Sequence, residues 1–308
     1  MLPPPRQRPA LRRTIDTWGS CAQATIARLH VGIVGVGSVG AVVAEAIARM
    51  GVGRVTLIDP DKVEEHNLDR LLCATRRDVG KAKVQLASRA IRRHGTAEDF
   101  KIRPLQLSVH DDTAYRAALD CDVLFSCVDR PLPRDVLNYI ANGHLIPVID
   151  GGVAIERDER DQSLFSAHWR THIVTPQHAC MRCNGQYNTS MVVVELDGSL
   201  DDPSYIQNLP ARERGGNQNV FPFSMATAGM EVNLLLRYLL AKEWWPVVRQ
   251  QDYQFVTGQV RINNDKCLPH CMFRGRRAQG DSEEPHYLRK MQEAHGIAKW
   301  LRVLQGWR

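Results

Sequence analysis

The chain has 308 residues, 44% apolar and 24% charged, with a formal net charge of +6. This ordinary globular composition excludes disordered, collagen-like and coiled-coil proteins, and the length allows one large domain or two modest ones. No apolar run approaches the roughly 20 residues of a transmembrane helix, and the N-terminal Arg and Pro residues lead into no secretory signal. We therefore expect no membrane partner and a cytoplasmic, reducing location, where paired cysteines indicate a metal rather than a disulfide.

The basic excess lies in the two tails. Residues 1–13 contain four Arg and no acid, and residues 274–308 contain eight Lys and Arg against four Asp and Glu. Solvated chain ends explain this pattern more simply than a nucleic-acid partner does, so nucleic acid is not expected to bind.

Apolar runs alternate with helical patterns along the first half of the chain, after a segment over 11–29 that predicts one helix or two short ones. Strands are predicted over 30–34, 54–59, 101–107, 122–128 and 145–149, and helices over 39–50, 80–94, 112–119 and 133–143. Such alternation is typical of a parallel sheet covered on both faces. We therefore predict an α/β, doubly wound, Rossmann-like fold.

The second half is less regular. Residues 163–175 alternate like an antiparallel strand extension, 195–219 are polar and rich in turn formers and predict a long loop, and 224–241 form an apolar helix. Residues 285–304 show the spacing of an amphipathic helix. The predicted organisation is an N-terminal arm and helix over 1–29, a main domain over 30–271 that includes the loop, and a basic C-terminal helix over 272–308.

A glycine-rich turn joins the first predicted strand to its helix. Gly35, Gly37 and Gly40 form the pattern G-x-G-x-x-G, which lets the backbone approach a phosphate at a helix N-terminus. Asp59 ends the second strand, where a carboxylate can bind ribose hydroxyls. These features alone leave a nicotinamide dehydrogenase and an ATP-using enzyme both open.

The segment after the second strand separates these two classes. Arg70 follows the ribose carboxylate, and Lys83 stands at the start of the next helix in Gly80-Lys81-Ala82-Lys83. Two cations that converge on a phosphate tail suit an enzyme that attacks a triphosphate, because charge builds on the phosphate oxygens in the transition state. The dehydrogenase is therefore disfavoured.

With these motifs the chain resembles the ThiF/MoeB-type adenylating enzymes, which include the ubiquitin-activating enzymes, over roughly residues 12–271. The resemblance rests on G-V-G-S-V-G, I-D-P-D-K-V-E-E-H-N-L-D-R, G-K-A-K, S-C-V-D-R and a split set of cysteines. It implies an adenylation domain that uses ATP and Mg²⁺. The implied nucleotide site consists of Gly35, Gly37, Gly40, Asp59, Asp61, Asn67, Arg70, Lys83 and Asp129, with Asp59 on the ribose and Asp129 as the magnesium carboxylate. The resemblance also implies a homodimer in which Arg13, or its neighbour Arg12, reaches the partner's phosphates.

The cysteines predict a structural zinc site. Cys180 and Cys183 form C-x2-C, which can place two thiolates on one metal, and Cys267 lies far downstream. The fourth ligand is either Cys271 or His270, and Cys271 is favoured by its ligand type. Two distant pairs on one Zn²⁺ would fasten the C-terminal segment to the body.

Many relatives transfer the adenylate to their own thiol, but the region where smaller members carry that cysteine, 216–224, contains none here. Cys21, Cys73, Cys121 and Cys127 remain, and none has a sequence context that lowers a thiol pKa. Two outcomes stay open: the enzyme hands the acyl-adenylate to a partner's nucleophile, or it uses a cysteine that the sequence does not identify.

The segment N-V-F-P-F-S-M-A-T-A-G-M-E-V-N at 219–233 resembles bacterial ThiF-type proteins that accompany ubiquitin-like modifiers. The implied activity is ATP-dependent adenylation of the C-terminal glycine carboxylate of a small ubiquitin-like protein, with a conjugating enzyme as a further partner. The alternatives are an activator of a sulfur-carrier protein and a non-catalytic scaffold subunit. The retained Asp59, Arg70, Lys83 and Asp129 argue against the scaffold.

Overall fold

A computed structural model describes residues 9–201, 219–283, 285 and 288. Eight strands form one sheet in the order β3-β2-β1-β4-β5-β6-β7-β8. They are β1 (His30–Val34), β2 (Arg54–Ile58), β3 (Lys101–Leu105), β4 (Val123–Ser126), β5 (Val148–Arg157), β6 (Leu164–Val174), β7 (Gln250–Gln254) and β8 (Gln259–Asn263). Strands β1 to β5 pair in parallel, and the pairs from β5 to β8 are antiparallel. The predicted doubly wound, mostly parallel sheet with an antiparallel extension is therefore confirmed.

Nine α-helices are present within the described ranges. They are α1 (Arg12–Trp18), α2 (Ser20–Arg28), α3 (Ser38–Arg49), α4 (Lys83–His94), α5 (Asp112–Leu119), α6 (Pro131–Gly143), α7 (Thr189–Leu196), α8 (Phe221–Leu240) and α9 (Met272–Gly275). The segment over 11–29 is two short helices, because Gly19 at φ +87° breaks the run between them. No helix of the described chain is long and apolar enough to cross a bilayer.

The two faces of the sheet carry separate apolar cores. On one face the alternate residues Val31 and Ile33 of β1 pack among side chains of α3, α4 and α8. On the other face Val34 and Leu124 pack with α5 and α6 and with the cysteine-bearing segment around Cys180. Burial on both sides explains the continuous apolar runs of the parallel strands.

The second half holds more regular structure than its composition predicts. The expected loop over 195–219 begins inside α7, and a 3-10 helix follows at Ser199–Asp201. Helix α7 forms because Asn188 caps its N-terminus, its side chain accepting the Ser190 N–H at 3.0 Å. Strands β7 and β8 were not predicted. Residues 202–218 of the expected loop, and nearly all of the expected helix over 285–304, lie outside the described residues.

Candidate active site and metal centre

A cavity of about 950 Å³ opens at the carboxyl ends of the parallel strands. It lies where β1 and β4 are neighbours and their connections leave in opposite directions, which is the usual ligand site of open α/β sheets. Eight of the nine predicted nucleotide-binding residues line this one cavity: Gly35, Gly37, Asp59, Asp61, Asn67, Arg70, Lys83 and Asp129.

The ninth residue, Gly40, does not line the cavity but packs against the backbone of the glycine turn. A Cβ added to Gly40 would lie 1.9 Å from the Gly35 carbonyl oxygen, so helix and turn can approach only if this residue is glycine. Gly35 itself has φ +85°, a left-handed conformation that favours glycine. At Gly37 an added Cβ would meet nothing within 4 Å, because this position faces the cavity. The first turn of α3 begins there without a side-chain cap, which leaves its N–H groups for an anion.

Asp59 accepts backbone hydrogen bonds from the glycine turn and from the residues that follow β2. Its Oδ2 accepts the Val36 N–H at 2.6 Å and its Oδ1 accepts the Asp61 N–H at 2.8 Å. Burial raises the pKa of this carboxyl, while nearby Lys83 and the two N–H donors act in the opposite direction. Each carboxylate oxygen keeps a second lone pair, so Asp59 can still accept ribose hydroxyls.

Backbone hydrogen bonds between residues 61–63 and 80–83 position Lys83 at the cavity. The Val63 N–H donates to Lys81 O at 2.9 Å, the Gly80 N–H donates to Val63 O at 2.8 Å, and the Lys83 N–H donates to Asp61 O at 3.0 Å. The Lys83 ammonium then reaches Asp61 Oδ2 at 2.8 Å and is only 12% exposed. A phosphate that enters the cavity would compete with Asp61 for this cation.

Arg70 is held at the cavity wall by its own loop. Its Nη1 donates to His66 O at 2.6 Å and to Asp69 Oδ1 at 2.8 Å, and its side chain is 23% exposed. The Asn67 Oδ1 accepts the Glu64 N–H, which closes a capping box on the same loop. The loop therefore presents Asn67 and Arg70 together.

Arg13 lies elsewhere. It is exposed on α1, and α1 follows Leu11, which packs against Gly51 just before β2 begins. Arg13 therefore lies near the amino ends of the strands and does not line the cavity of its own chain. Its predicted contact with phosphates, and that of Arg12, would need a second copy of the chain and stays a prediction.

The four predicted metal ligands come together. The four sulfur atoms all lie within 4.8 Å of one another; they belong to Cys180, Cys183, Cys267 and Cys271. His270 is not part of this cluster. Tetrahedral Zn²⁺ with Zn–S bonds of 2.3 Å requires sulfur atoms about 3.8 Å apart, so the set fits a structural zinc site with no open position. A hydrogen bond from the Cys180 thiol is the main cause that lowers the pKa of Cys267 to about 5. Among the described residues this is the one cluster of three or more potential ligands.

No remaining cysteine presents an activated thiol at the cavity. Burial raises the pKa of Cys73 to about 11 and that of Cys121 to about 12. Cys127 lines the cavity, but burial raises its pKa well above the ordinary value, and the neighbouring Glu231 adds to the effect. Cys21 is exposed on α2, beside α1 and away from the cavity.

The structure adds polar residues that the sequence analysis missed. The β5–β6 side of the cavity contains Arg134, His168, Arg170 and Gln186, with Asp150 buried behind the arginines. One signal was available, because Asp150 follows the predicted strand over 145–149 at the carboxyl edge of the sheet. Arg170 and Gln186 carry no motif, and only their contacts reveal them.

The chain belongs to the ThiF family, whose family model matches residues 11–268. Over 169 residues it is 25% identical to the SAMP-activating enzyme E1 of Haloferax volcanii. This match covers 55% of this chain and 58% of that protein. Over 147 residues it is 31% identical to the tRNA threonylcarbamoyladenosine dehydratase of Escherichia coli, covering 46% of this chain and 52% of that one. Over 163 residues it is 31% identical to the ubiquitin-like modifier-activating enzyme 5 of Gallus gallus. This match covers 50% of this chain and 39% of that protein. The matches thus span about half the length of these relatives.

The fold is shared with a solved structure of E. coli MccB bound to MccA-N7isoASN. The two superimpose with a TM-score of 0.65 at 18% identity, over 87% of this chain and 76% of that one. A structure of E. coli MccB with ATP gives a TM-score of 0.62 over 86% of this chain and 74% of that one, also at 18% identity.

Proposed function

We propose that this chain is an adenylyltransferase that uses ATP to activate the C-terminal glycine carboxylate of a small ubiquitin-like protein. The observation that carries the proposal is the single cavity that gathers the glycine turn, the ribose carboxylate Asp59, the cations Arg70 and Lys83, and Asp129. A dinucleotide site has no comparable use for two cations aimed at a phosphate tail.

In the proposed reaction a carboxylate oxygen of the substrate attacks the α-phosphorus of ATP. A new P–O bond forms, the bond to the bridging α–β oxygen breaks, and pyrophosphate leaves with that electron pair. No proton needs to move, because the attacking carboxylate is already ionised. Catalysis then consists of positioning and of charge stabilisation by Arg70 and Lys83.

The residues also fit a magnesium ion. Mg²⁺ in phosphate-transfer sites is bound by one or two carboxylates together with substrate phosphates. Asp129 follows the end of β4 by three residues, lines the cavity and could supply such a carboxylate. The ion would neutralise phosphate charge and orient the leaving group.

The acyl-adenylate is proposed to pass to a nucleophile of a partner protein. Four of the eight cysteines lie in the candidate metal cluster, and Cys73, Cys121 and Cys127 have raised thiol pKa values. A thiolate is the reactive form of cysteine, so these thiols suit packing rather than thioester formation. The ubiquitin-like substrate is favoured by the Gallus gallus relative, which is named a ubiquitin-like modifier-activating enzyme.

ATP–pyrophosphate exchange tests the proposal. The chain is incubated with ATP, Mg²⁺, labelled pyrophosphate and a panel of small ubiquitin-like proteins that end in glycine. We expect exchange that disappears when the terminal glycine is removed. Lys83→Ala should slow exchange by about 10²- to 10³-fold, the effect of removing one donor to transition-state charge.

Lys81→Ala is the matched control, because Lys81 lies two residues away but pairs with Asp78 at 2.8 Å. This variant should keep near-normal exchange. Binding of NAD in place of ATP, or normal exchange by Lys83→Ala, would contradict the assignment.

A further inference from the structure

One stretch of the chain is strongly basic, and the proposed reaction uses only one of its cations. Residues 75–95 contain seven Lys and Arg against a single Asp, an excess of six that equals the formal net charge of the whole chain. Acidic residues elsewhere between the two tails offset this excess, so only the tails stand out in the composition. Lys83 reaches the cavity and Lys81 pairs with Asp78, which leaves five arginines to explain.

Three of these arginines form a stripe on the outer side of α4. Arg89, Arg92 and Arg93 are exposed, and their spacing of three and four residues places them on one side of the helix. His94 pairs with Glu45 of α3 at 2.8 Å, so the flank of α4 that carries His94 faces α3. Arg92 is two residues, or about 200° of helix, away from His94 and therefore points away from α3. On that side the sheet ends at β3, so the stripe faces outward.

The turn before α4 adds two arginines at the N-terminal end of this stripe. Arg76 and Arg77 are exposed in the 3-10 turn that precedes the helix. The loop that leads into this turn packs through Leu71 in one apolar cluster with Leu86 of α4. Arg89 follows Leu86 by three residues and so lies on the same flank of the helix. The five arginines therefore form one surface, which we call the α4 arginine surface.

The positive charge of the α4 arginine surface is not balanced by acids. Within the described part of the chain none of its five arginines forms an ion pair, whereas the exposed Arg49, Arg116 and Arg160 each pair with a nearby carboxylate. Like charges three or four residues apart destabilise a helix, so stability does not explain the stripe. The surface therefore indicates an extended anionic partner.

The neighbouring side chains indicate which extended anion fits. Residues 71–99 contain no Phe, Tyr or Trp, so unpaired bases would find no aromatic side chain on which to stack. Over residues 75–95 Val79 is the one exposed large apolar side chain, whereas a protein interface has a cluster of apolar anchors at its centre. Nucleic-acid interfaces are by contrast polar and strongly positive. These features favour the regular phosphate backbone of a duplex over a single strand or an acidic protein.

We propose that the α4 arginine surface binds the phosphate backbone of a nucleic-acid duplex, independently of base sequence. Helix α4 has 12 residues and is about 18 Å long, and over that length a duplex carries about ten phosphate charges, of which about half face the protein. Five arginines match that number, and each guanidinium group can bind a phosphate through two hydrogen bonds. The basic tails did not predict this surface, because it forms only when the turn packs on α4. It lies outside the cavity, so the inference does not rest on the proposed function.

Fluorescence anisotropy of labelled oligonucleotides tests the proposal. The probes are an RNA duplex of about 20 base pairs, the DNA duplex of the same mixed sequence, and one strand of the RNA alone, each titrated with the full chain between about 50 and 200 mM KCl. We expect the native chain to bind both duplexes with micromolar Kd at about 100 mM KCl. The logarithm of the affinity should fall with the logarithm of the salt concentration with a slope of about −4, because five phosphate contacts release counterions. The single strand should bind about fivefold more weakly or worse, since its bases have nothing to stack on.

Arg92→Gln removes one cation from the stripe. We expect it to weaken both duplexes about five- to tenfold and to make the salt slope shallower by about one, the effect of losing one phosphate contact. Arg92→Glu should weaken them further, and Arg92→Lys should keep most of the affinity because it keeps the charge. Arg160→Gln is the matched control, because it removes the same charge at an 88% exposed side chain between β5 and β6, and it should bind as the native chain does.

Melting temperatures of all variants identify any that fail to fold. Binding of either duplex with the expected loss in Arg92→Gln supports the proposal, and the preferred duplex shows whether RNA or DNA supplies the phosphates. Equal losses in Arg92→Gln and Arg160→Gln would overturn it, because binding would then follow net charge alone. Native affinity in Arg92→Glu with loss in Arg8→Gln would also overturn it and assign the binding to the N-terminal tail. Tighter binding of labelled poly-glutamate than of the duplexes would overturn it in favour of an acidic protein. None of these outcomes bears on the adenylation, which pyrophosphate exchange tests separately.

Discussion

At the scale of single residues, the glycines of the turn have different roles that the motif does not separate. Gly40 makes space for a backbone oxygen, whereas Gly37 faces open cavity. Gly40 is therefore needed for packing and Gly37 for the approach of a ligand. A substitution at Gly40 should affect stability, and one at Gly37 should affect binding.

Gly40→Ala should reduce the free energy of unfolding by about 1–3 kcal/mol, the usual cost of overpacking, because its Cβ would overlap Gly35 O. Gly37→Ala should change stability by less than about 0.5 kcal/mol, since the position has φ −82° and an open surrounding. It should nevertheless weaken ATP binding, because the added methyl group occupies the approach to α3. Urea unfolding measures the free energy of unfolding of both variants, and ATP titration measures their affinity for ATP. Equal stability of Gly40→Ala and the native chain would contradict the packing argument.

Residues at the cavity wall also illustrate how charge is balanced locally. Lys83 pairs with Asp61, while Arg134 and Arg170 pair with Asp150, so each cation has a partner before any ligand arrives. A ligand anion therefore exchanges one set of contacts for another. This arrangement avoids unpaired charges at a half-buried site, which would be costly.

At the scale of elements, the cysteine cluster joins segments that are far apart in the chain. Cys180 and Cys183 follow β6, and Cys267 and Cys271 follow β8. The Cys180 N–H also donates to Cys267 Sγ at 3.1 Å, so the backbone already favours the arrangement. The same segment continues to Gln186, and a loosened cluster would disturb the cavity wall.

Metal analysis of two neighbouring variants should identify the fourth ligand. We expect about one zinc per chain in the native protein and in His270→Ala, and clearly less in Cys271→Ala, because four thiolates complete a closed structural site. Chelation of the native chain should lower its melting temperature, since metal binding contributes to folding. Cys21→Ser, at an exposed cysteine of α2, is the control. Zinc loss in His270→Ala with retention in Cys271→Ala would reverse the assignment.

At the scale of the whole molecule, α1 and the cavity lie at opposite ends of the strands. β2 runs from Arg54 to Ile58, and five residues of strand span about 16 Å. Leu11 contacts Gly51 at the amino end, while Asp59 follows the carboxyl end. Arg13 could therefore act on phosphates only in the cavity of a second copy.

Mixing two inactive variants tests this arrangement. Arg13→Ala chains and Lys83→Ala chains should each be impaired alone in pyrophosphate exchange. After mixing and re-equilibration, activity should return to about a quarter of native, because half of the dimers are mixed and each then has one complete site. A mixture of Arg70→Ala with Lys83→Ala should show no recovery, since both changes damage a chain's own cavity. Absence of recovery in the first mixture would remove Arg13 from the site.

The sequence by itself determined the parallel half of the sheet, the glycine turn and the cysteine pairs. Those features follow from local rules: buried strands need continuous apolar runs, a tight turn needs glycine, and two cysteines separated by two residues can bind one metal. The order and spacing of Asp59, Arg70 and Lys83 likewise indicated a triphosphate site, and one cavity contains them all.

Only the tertiary structure shows which residues line the β5–β6 half of the cavity, opposite the predicted nucleotide-binding residues. Arg134, Arg170 and Gln186 come from α6, β6 and the segment after the cysteine knuckle, and no local pattern relates them. Helix α7 and strands β7 and β8 escaped prediction because their sequences are short, polar or weakly periodic, so tertiary packing and pairing outweigh intrinsic propensity. The β5–β6 half of the cavity is therefore assembled by long-range contacts, whereas the half that contains Asp59, Arg70 and Lys83 was already indicated by the order of residues.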